Sequence, residues 1–327
     1  MEEIKRQQNY KQLLSRFQSL IALVLLCVVI SLLSDKFLTP TNAWNVMRQI
    51  SVNVCISVGM TMVILAGGID LSVGSVLALC GAVAGGLLKT GIEIPFANLY
   101  VGFTITGITV VAIGVGLLIG GFNGFVITKF KVPPFVATLA MLTIARGLTM
   151  LWTKGFPISS LGEDFTWLGT GWWLGVPVPV WVSGLVVLLA IVITNKTKLG
   201  RYVYAIGGNE SAAILSGINV NRIKIAVYSI AGALAATGGL IVTSRLDAAQ
   251  PNAGLGYELD SIAAVVIGGT SLSGGKGSVG GTVLGAIIIG VLNNGLVLLN
   301  VSPFWQQVVK GSVILIAVII DKAKSKS

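Results

Sequence analysis

The sequence contains no histidine, and only 12 of its 327 residues are acidic. The missing histidine removes the usual general base, the neutral-pH switch and the commonest metal ligand together. Charged residues of both signs make up only 10% of the chain, against roughly 25% in soluble domains. The three cysteines, Cys27, Cys55 and Cys80, all stand in apolar stretches. They read as small buried thiols. No Cys-x-x-Cys pair suggests zinc or redox chemistry. Nor does a small-residue cleavage site follow the basic N-terminal stretch of Lys5, Arg6, Lys11 and Arg16. The apolar run after it is therefore expected to stay as a first helix and not to act as a removable signal.

What remains is mostly grease. Hydrophobic residues reach 54% and the mean hydropathy is +0.90. In lipid, backbone groups can be satisfied only by helices or a closed barrel. The apolar runs are continuous and not alternating, so an all-α integral membrane protein is expected. About ten spans are predicted, some of them broken. They lie at 20–34, 44–66, 71–88, 99–127, 135–152, 178–194, 225–244, 262–269, 281–299 and 305–320. The stretch at 262–269 is too short to cross alone and suggests a partial helix. The whole chain, 1–327, reads as one transmembrane domain.

Charge orients it. Lys129, Lys131, the long basic loop at 195–224, Lys276 and the tail residues Lys322, Lys324 and Lys326 fall on one side. Asp35, Glu93, Glu163, Asp164, Asp247, Glu258 and Asp260 fall on the other. The positive-inside rule then puts both termini in the cytoplasm, with segments 1–19 and 321–327 inside. The net charge of +10 is spread over loops and ends where topology requires it. It forms no basic stripe with interleaved aromatics, which argues against nucleic acid.

Two glycine-rich segments echo each other: I-L-A-G-G-I-D-L-S-V-G-S at 64–75 and V-I-G-G-T-S-L-S-G-G-K-G-S at 266–278. Each is an apolar helix, a glycine pair, a polar turn and another apolar helix. Paired interruptions of this kind point to a transport site. The second is not a phosphate loop. Gly275-Lys276 is followed by glycine, and Thr270 occupies the position where the first glycine is needed. Many of the 42 glycines lie in apolar helices, where small residues permit close packing. Asp70 stands just before Leu71-Ser72-Val73, either as a helix cap or as an intramembrane acid with Ser72 beside a path. Arg146 within the fifth span calls for a partner. Asn123, Asn293 and Asn294 either bond between helices or line a wet path for a polyhydroxylated solute. The external segment rich in tryptophan (Trp167, Trp172, Trp173, Trp181) is an aromatic belt or a landing surface for an external partner.

The basic loop is the most specific feature. Lys196, Lys198, Arg201, Arg222 and Lys224 oppose one acid, Glu210. Residues 211–216 have helical propensity, and Asn209 can cap them. Gly207, Gly208, Ala212 and Ala213 are small enough to seat a short helix in a partner's groove. The loop sequence G-R-Y-V-Y-A-I-G-G-N-E-S-A-A-I-L-S-G-I-N-V at 200–220 resembles the cytoplasmic coupling loop of ribose-type ABC sugar importer permeases. Segments 58–75, 248–278 and V-L-N-N-G-L at 291–296 are similar to the same family. Residues 153–175 and the first twenty or so match it loosely.

The resemblance implies a homodimeric, multi-pass permease of the bacterial inner membrane, without catalysis of its own. A separate cytoplasmic ATPase would carry ATP and magnesium, and a soluble sugar-binding protein would deliver solute. Coupling would fall on Gly200, Arg201, Ala205, Gly207, Gly208, Asn209, Glu210 and Gly217. Asp70, Ser72, Asn123, Asn293 and Asn294 are the candidate pathway residues, and no metal site is expected. Overall similarity favours ribose and leaves allose, xylose and galactose open. Competing readings are an amino-acid ABC permease, an ion-coupled transporter for which Asp70 is nearly the only acid, a channel or structural subunit, and an intramembrane enzyme without a visible nucleophile–base pair.

Overall fold

A computed structural model describes residues 19–94 and 99–325. Residues 1–18 of the expected N-terminal segment and 326–327 of the tail lie outside the described residues. The described residues are mostly helical, with three short two-stranded pairings among them. Helix α1 is Ser19–Leu33. The order continues α2 Pro40–Leu65, α3 Val73–Thr90, β1 Ile92–Ile94, β2 Leu99–Val101, α4 Ile105–Lys129 and α5 Pro134–Thr153. Next come β3 Ile158–Ser159, α6 Glu163–Thr170, β4 Trp172–Trp173, β5 Val176–Pro177, α7 Val178–Lys196, α8 Lys198–Gly208 and α9 Glu210–Leu215. The chain closes with α10 Val220–Leu246, β6 Ala248–Ala249, α11 Tyr257–Ile267, α12 Val279–Leu298 and α13 Pro303–Ser325. Among the described residues, α2, α3, α4, α5, α7, α10 and α12 are each long and apolar enough to cross a membrane, and α1 and α13 carry shorter apolar stretches.

Local chemistry sets the helix starts. Thr39, Thr104, Asn219 and Ser278 each turn a side-chain oxygen to a free N–H of the first turn. Proline occupies the first turn of α2, α5 and α7, where its missing N–H costs nothing.

Close approach of small residues then fixes helix direction. Gly116, Gly120 and Gly124 of α4 lie against Gly232, Tyr228 and Ile225 of α10, so these two run antiparallel. Gly81 of α3 meets Gly239 and Thr243, and Gly85 meets Ala249, so α3 runs parallel to α10. Gly59 of α2 faces Ala231 and Gly238 faces Ile56, so α2 opposes α10. Helix α2 is the centre of the bundle, with every residue from 50 to 65 buried. Gly281 and Gly285 of α12 meet Gly268 and Ala264, which folds α11 back along α12. Ser19 bonds to the Ile267 carbonyl (2.8 Å), and Ile30 packs on Gly295, so α1 follows α12.

The bundle thus has two ends. Helices α8 and α9 form a platform at one. The other carries the strand pairs β1–β2, β4–β5 and β3–β6, with Asp247 accepting from the Leu161 N–H (2.8 Å).

Three expectations change. The fourth span does not start at 99: residues 99–101 pair with β1, and the helix begins at Ile105, capped by Thr104. The partial helix starts earlier than 262, at Tyr257 behind a left-handed Gly256, and 11 residues make it about 16 Å long, half a hydrocarbon core. Glu258 and Asp260 are therefore not loop acids. They belong to α11, and Asp260 is buried. Cys55 and Cys80 are buried and Cys27 half-buried, all three as free thiols.

Candidate functional site

The basic loop folds as two short helices. Thr197 caps α8 through the Gly200 N–H (3.3 Å), and Gly200 rests against the carbonyls of Ile193 and Thr194, where no side chain fits. Asn209 ends α8 and starts α9, its side-chain oxygen accepting from the Ala212 N–H (2.9 Å). Glu210 pairs with Lys224 of α10 at 2.8 Å. Gly217, at φ +81°, turns the chain toward α10. Val203, Ile206 and Ala213 face inward. Arg201, Ala205, Gly208, Asn209 and Glu210 face outward, together with two apolar residues that sequence reasoning missed. Leu215 is 89% exposed and Ile214 56%. Both stand on the open face of the platform, which also carries exposed Arg201 and Glu210.

The platform sits on both glycine-rich breaks. The Leu65 carbonyl, at the end of α2, accepts a hydrogen bond from the Gly275 N–H (3.1 Å). Gly207 of α8 fits against the Leu65 carbonyl and the Gly275 amide, with no room for a Cβ. Gly274 and Gly275 adopt φ of +85° and +70°, and they bring their backbone against Gly67, Gly207 and Gly208. The Tyr204 hydroxyl donates to the Gly277 carbonyl at 2.9 Å. Burial pushes that hydroxyl's pKa above its ordinary value. The two echoing segments therefore meet each other, and α8 clamps the junction.

The predicted pathway residues divide into three groups. Asp70, Ser72 and Asn123 come together: one Asp70 carboxylate oxygen accepts from the Ser72 N–H (2.9 Å) and hydroxyl (2.6 Å), and Asn123 donates to that hydroxyl (3.0 Å). Asp70 is not the N-cap of α3, since Ser72 takes that position. Its carboxylate closes the turn two residues earlier. Asn294 forms a reciprocal amide pair with Asn42 of α2 (2.9 and 3.0 Å). Asn293 reaches Asp260, which forms an ion pair with Lys310 of α13 at 3.0 Å. Arg146, whose partner was unnamed from sequence, donates to the carbonyls of Pro251 (2.7 Å) and Ala253 (2.9 Å) just ahead of α11. Among the described residues no cluster of metal-ligating side chains occurs.

Residues 42–318 match the family described as branched-chain amino acid transport system / permease component, and the chain belongs to that family. It is 51% identical over 311 residues to the ribose import permease protein RbsC of Escherichia coli (strain K12), covering 94% of each chain. It is 48% identical over 329 residues to the ribose import permease protein RbsC of Bacillus subtilis (strain 168), covering 99% of each. The D-allose transport system permease protein AlsC of Escherichia coli (strain K12) is 36% identical over 323 residues, 98% of this chain and 96% of that one. No solved structure gives a significant match.

Proposed function

We propose that this chain is the membrane-spanning subunit of an ATP-driven ribose importer in the bacterial inner membrane. Near-half identity to ribose permeases over almost the whole chain supports the solute. The clamp of α8 on Leu65 and Gly275 supports the coupling, and it is the observation that carries the reading. A homodimer of this chain forms the pathway. A companion ATPase binds ATP with magnesium and docks on α8 and α9, over Leu215 and Ile214. A soluble sugar-binding protein docks at the opposite, tryptophan-rich end.

Helix directions support about ten traverses with both termini cytoplasmic. From α1, which leaves the platform end, each traverse reverses the last, with α11 as a half-crossing. Helix α13 therefore returns to the platform side.

Nucleotide-driven closure of the ATPase moves α8 and α9 as one body. Because α8 holds the backbone at the end of α2 and in the turn between α11 and α12, both glycine-rich breaks move with it, and the open side of the pathway changes. Loaded binding protein and ATP each bias this equilibrium by preferring one state. Proteoliposomes holding the permease, its ATPase and its binding protein should accumulate labelled ribose only with ATP inside the ATPase compartment. Uptake without the ATPase, or uptake of allose or xylose in place of ribose, would overturn the assignment.

A further inference from the structure

A cleft of about 570 Å³ opens on the flank of the bundle between α1, α2, α7 and α12, at the end away from the platform. Its walls are apolar, with Phe37, Met47, Val54, Val187 and Ile287 among them. The floor is widened by Ala43, Ser183 and Gly184. From Asn42 to Val54 the cleft follows α2 for twelve residues, about 18 Å, close to the ~15 Å of one hydrocarbon leaflet. It is long, narrow and greasy, a shape suited to one alkyl chain and not to the broad face of a helix.

Arg48 stands on the same helix, next to Met47 and one turn from Ser51, both of which line the cleft. Its guanidinium lies 4.9 Å over the Trp172 ring, and Trp44 packs edge-on against that ring at 5.3 Å. Its one hydrogen bond among the described residues is a long 3.4 Å contact to Asn45. Tryptophans of this kind mark headgroup depth. A stacked cation with spare donors at that depth, beside an alkyl-shaped slot, matches a phosphate joined to an acyl chain.

We propose that this cleft is a binding site for an anionic phospholipid of the outer leaflet, with one acyl chain in the slot and its phosphate on Arg48. The proposal rests on the orientation given under Proposed function, with the platform cytoplasmic, and stands whichever sugar is carried.

The test is native mass spectrometry of the intact permease–ATPase complex, titrated with phosphatidylglycerol or phosphatidylethanolamine. The wild type should retain phosphatidylglycerol preferentially. Arg48→Gln should weaken phosphatidylglycerol binding about tenfold and erase the preference. Gly184→Phe should remove the adduct for both lipids. A Cβ at Gly184 meets nothing within 4 Å, so the fold should tolerate this filling. Equal lipid retention by the wild type and both variants would overturn the proposal. So would loss of the second permease copy, without loss of lipid, on Gly184→Phe, since that would make the cleft a subunit interface.

Discussion

The Leu65 carbonyl accepts from the Gly275 N–H across 210 residues of sequence, and α8 seats on that bond through Gly207. Neighbouring glycines in α8 have opposite surroundings. A Cβ at Gly207 collides with the Leu65 carbonyl and the Gly275 amide, whereas a Cβ at Gly208 meets nothing. Gly207→Ala should destabilise the permease by about 1–3 kcal/mol, as overpacking does, and should reduce ATP-dependent uptake. Gly208→Ala should change stability by less than about 0.5 kcal/mol. Gly208→Trp should insert normally yet abolish uptake, because its ring projects into open space on the face proposed to dock the ATPase. Thermal unfolding in detergent and uptake by proteoliposomes separate the three variants. Normal uptake by Gly208→Trp would remove this face from the docking surface.

The ion pair between Glu210 and Lys224 invites a charge swap. The carboxylate side is half exposed, so the pair contributes up to about 1 kcal/mol at most. Glu210→Lys should therefore leave the fold intact while stopping ATP-coupled uptake. If Glu210 served only its neighbour, the swap of Glu210→Lys with Lys224→Glu would restore transport. We expect the swapped protein to stay inactive and to fail to co-purify with the ATPase.

Of the two platform helices, α9 was legible in the sequence because its signal is local, whereas the sequence marks α8 only as part of a basic loop. Asn209 followed by Glu210, Ser211 and two alanines states a cap and a start within five residues. The partial helix was legible only as an anomaly. Its apolar run becomes continuous at Ile262, and its true start depends on Gly256 adopting a left-handed turn. The Asp260–Lys310 pair joins side chains fifty residues apart on different helices, so no spacing rule announces it. The glycine echo hinted that the two breaks are related. Contact between Leu65 and Gly275 runs through backbone atoms, which leave no trace in side-chain identity. Asp70, Ser72 and Asn123 were singled out one by one, and only the folded chain shows them to be one hydrogen-bonded unit.

Tyr204 ties α8 to the second break through the Gly277 carbonyl. Tyr204→Phe should cost about 1 kcal/mol and slow uptake without abolishing it, since the glycine contacts remain. Burial raises the hydroxyl's pKa, so the folded state favours the protonated donor. Its contribution is complete below the unfolded value of about 10 and is lost as pH rises through the folded value. The ratio of wild-type to Tyr204→Phe uptake should therefore be flat between about pH 6 and 9. A ratio that falls toward one within that range would show that the hydroxyl does not act as a protonated donor.

Arg146 places its Nη1 between two carbonyls, those of Pro251 and Ala253, in the non-helical stretch that leads into α11. Glu258, in the first turn of α11, lies within electrostatic reach. Two roles are separable here. If the cation only balances Glu258, then Arg146→Met combined with Glu258→Gln should recover stability and uptake. If it pins the chain, the double variant should stay defective, because each stranded carbonyl costs about 1–3 kcal/mol. Two short bonds from one nitrogen favour pinning. Arg146→Met should thus lower the unfolding temperature and uptake together, and removing the acid should not rescue either. Arg146→Lys keeps the charge on a shorter, point-like donor and should fall between the two. Rescue by Glu258→Gln would reassign Arg146 to charge balance and leave α11 without its anchor.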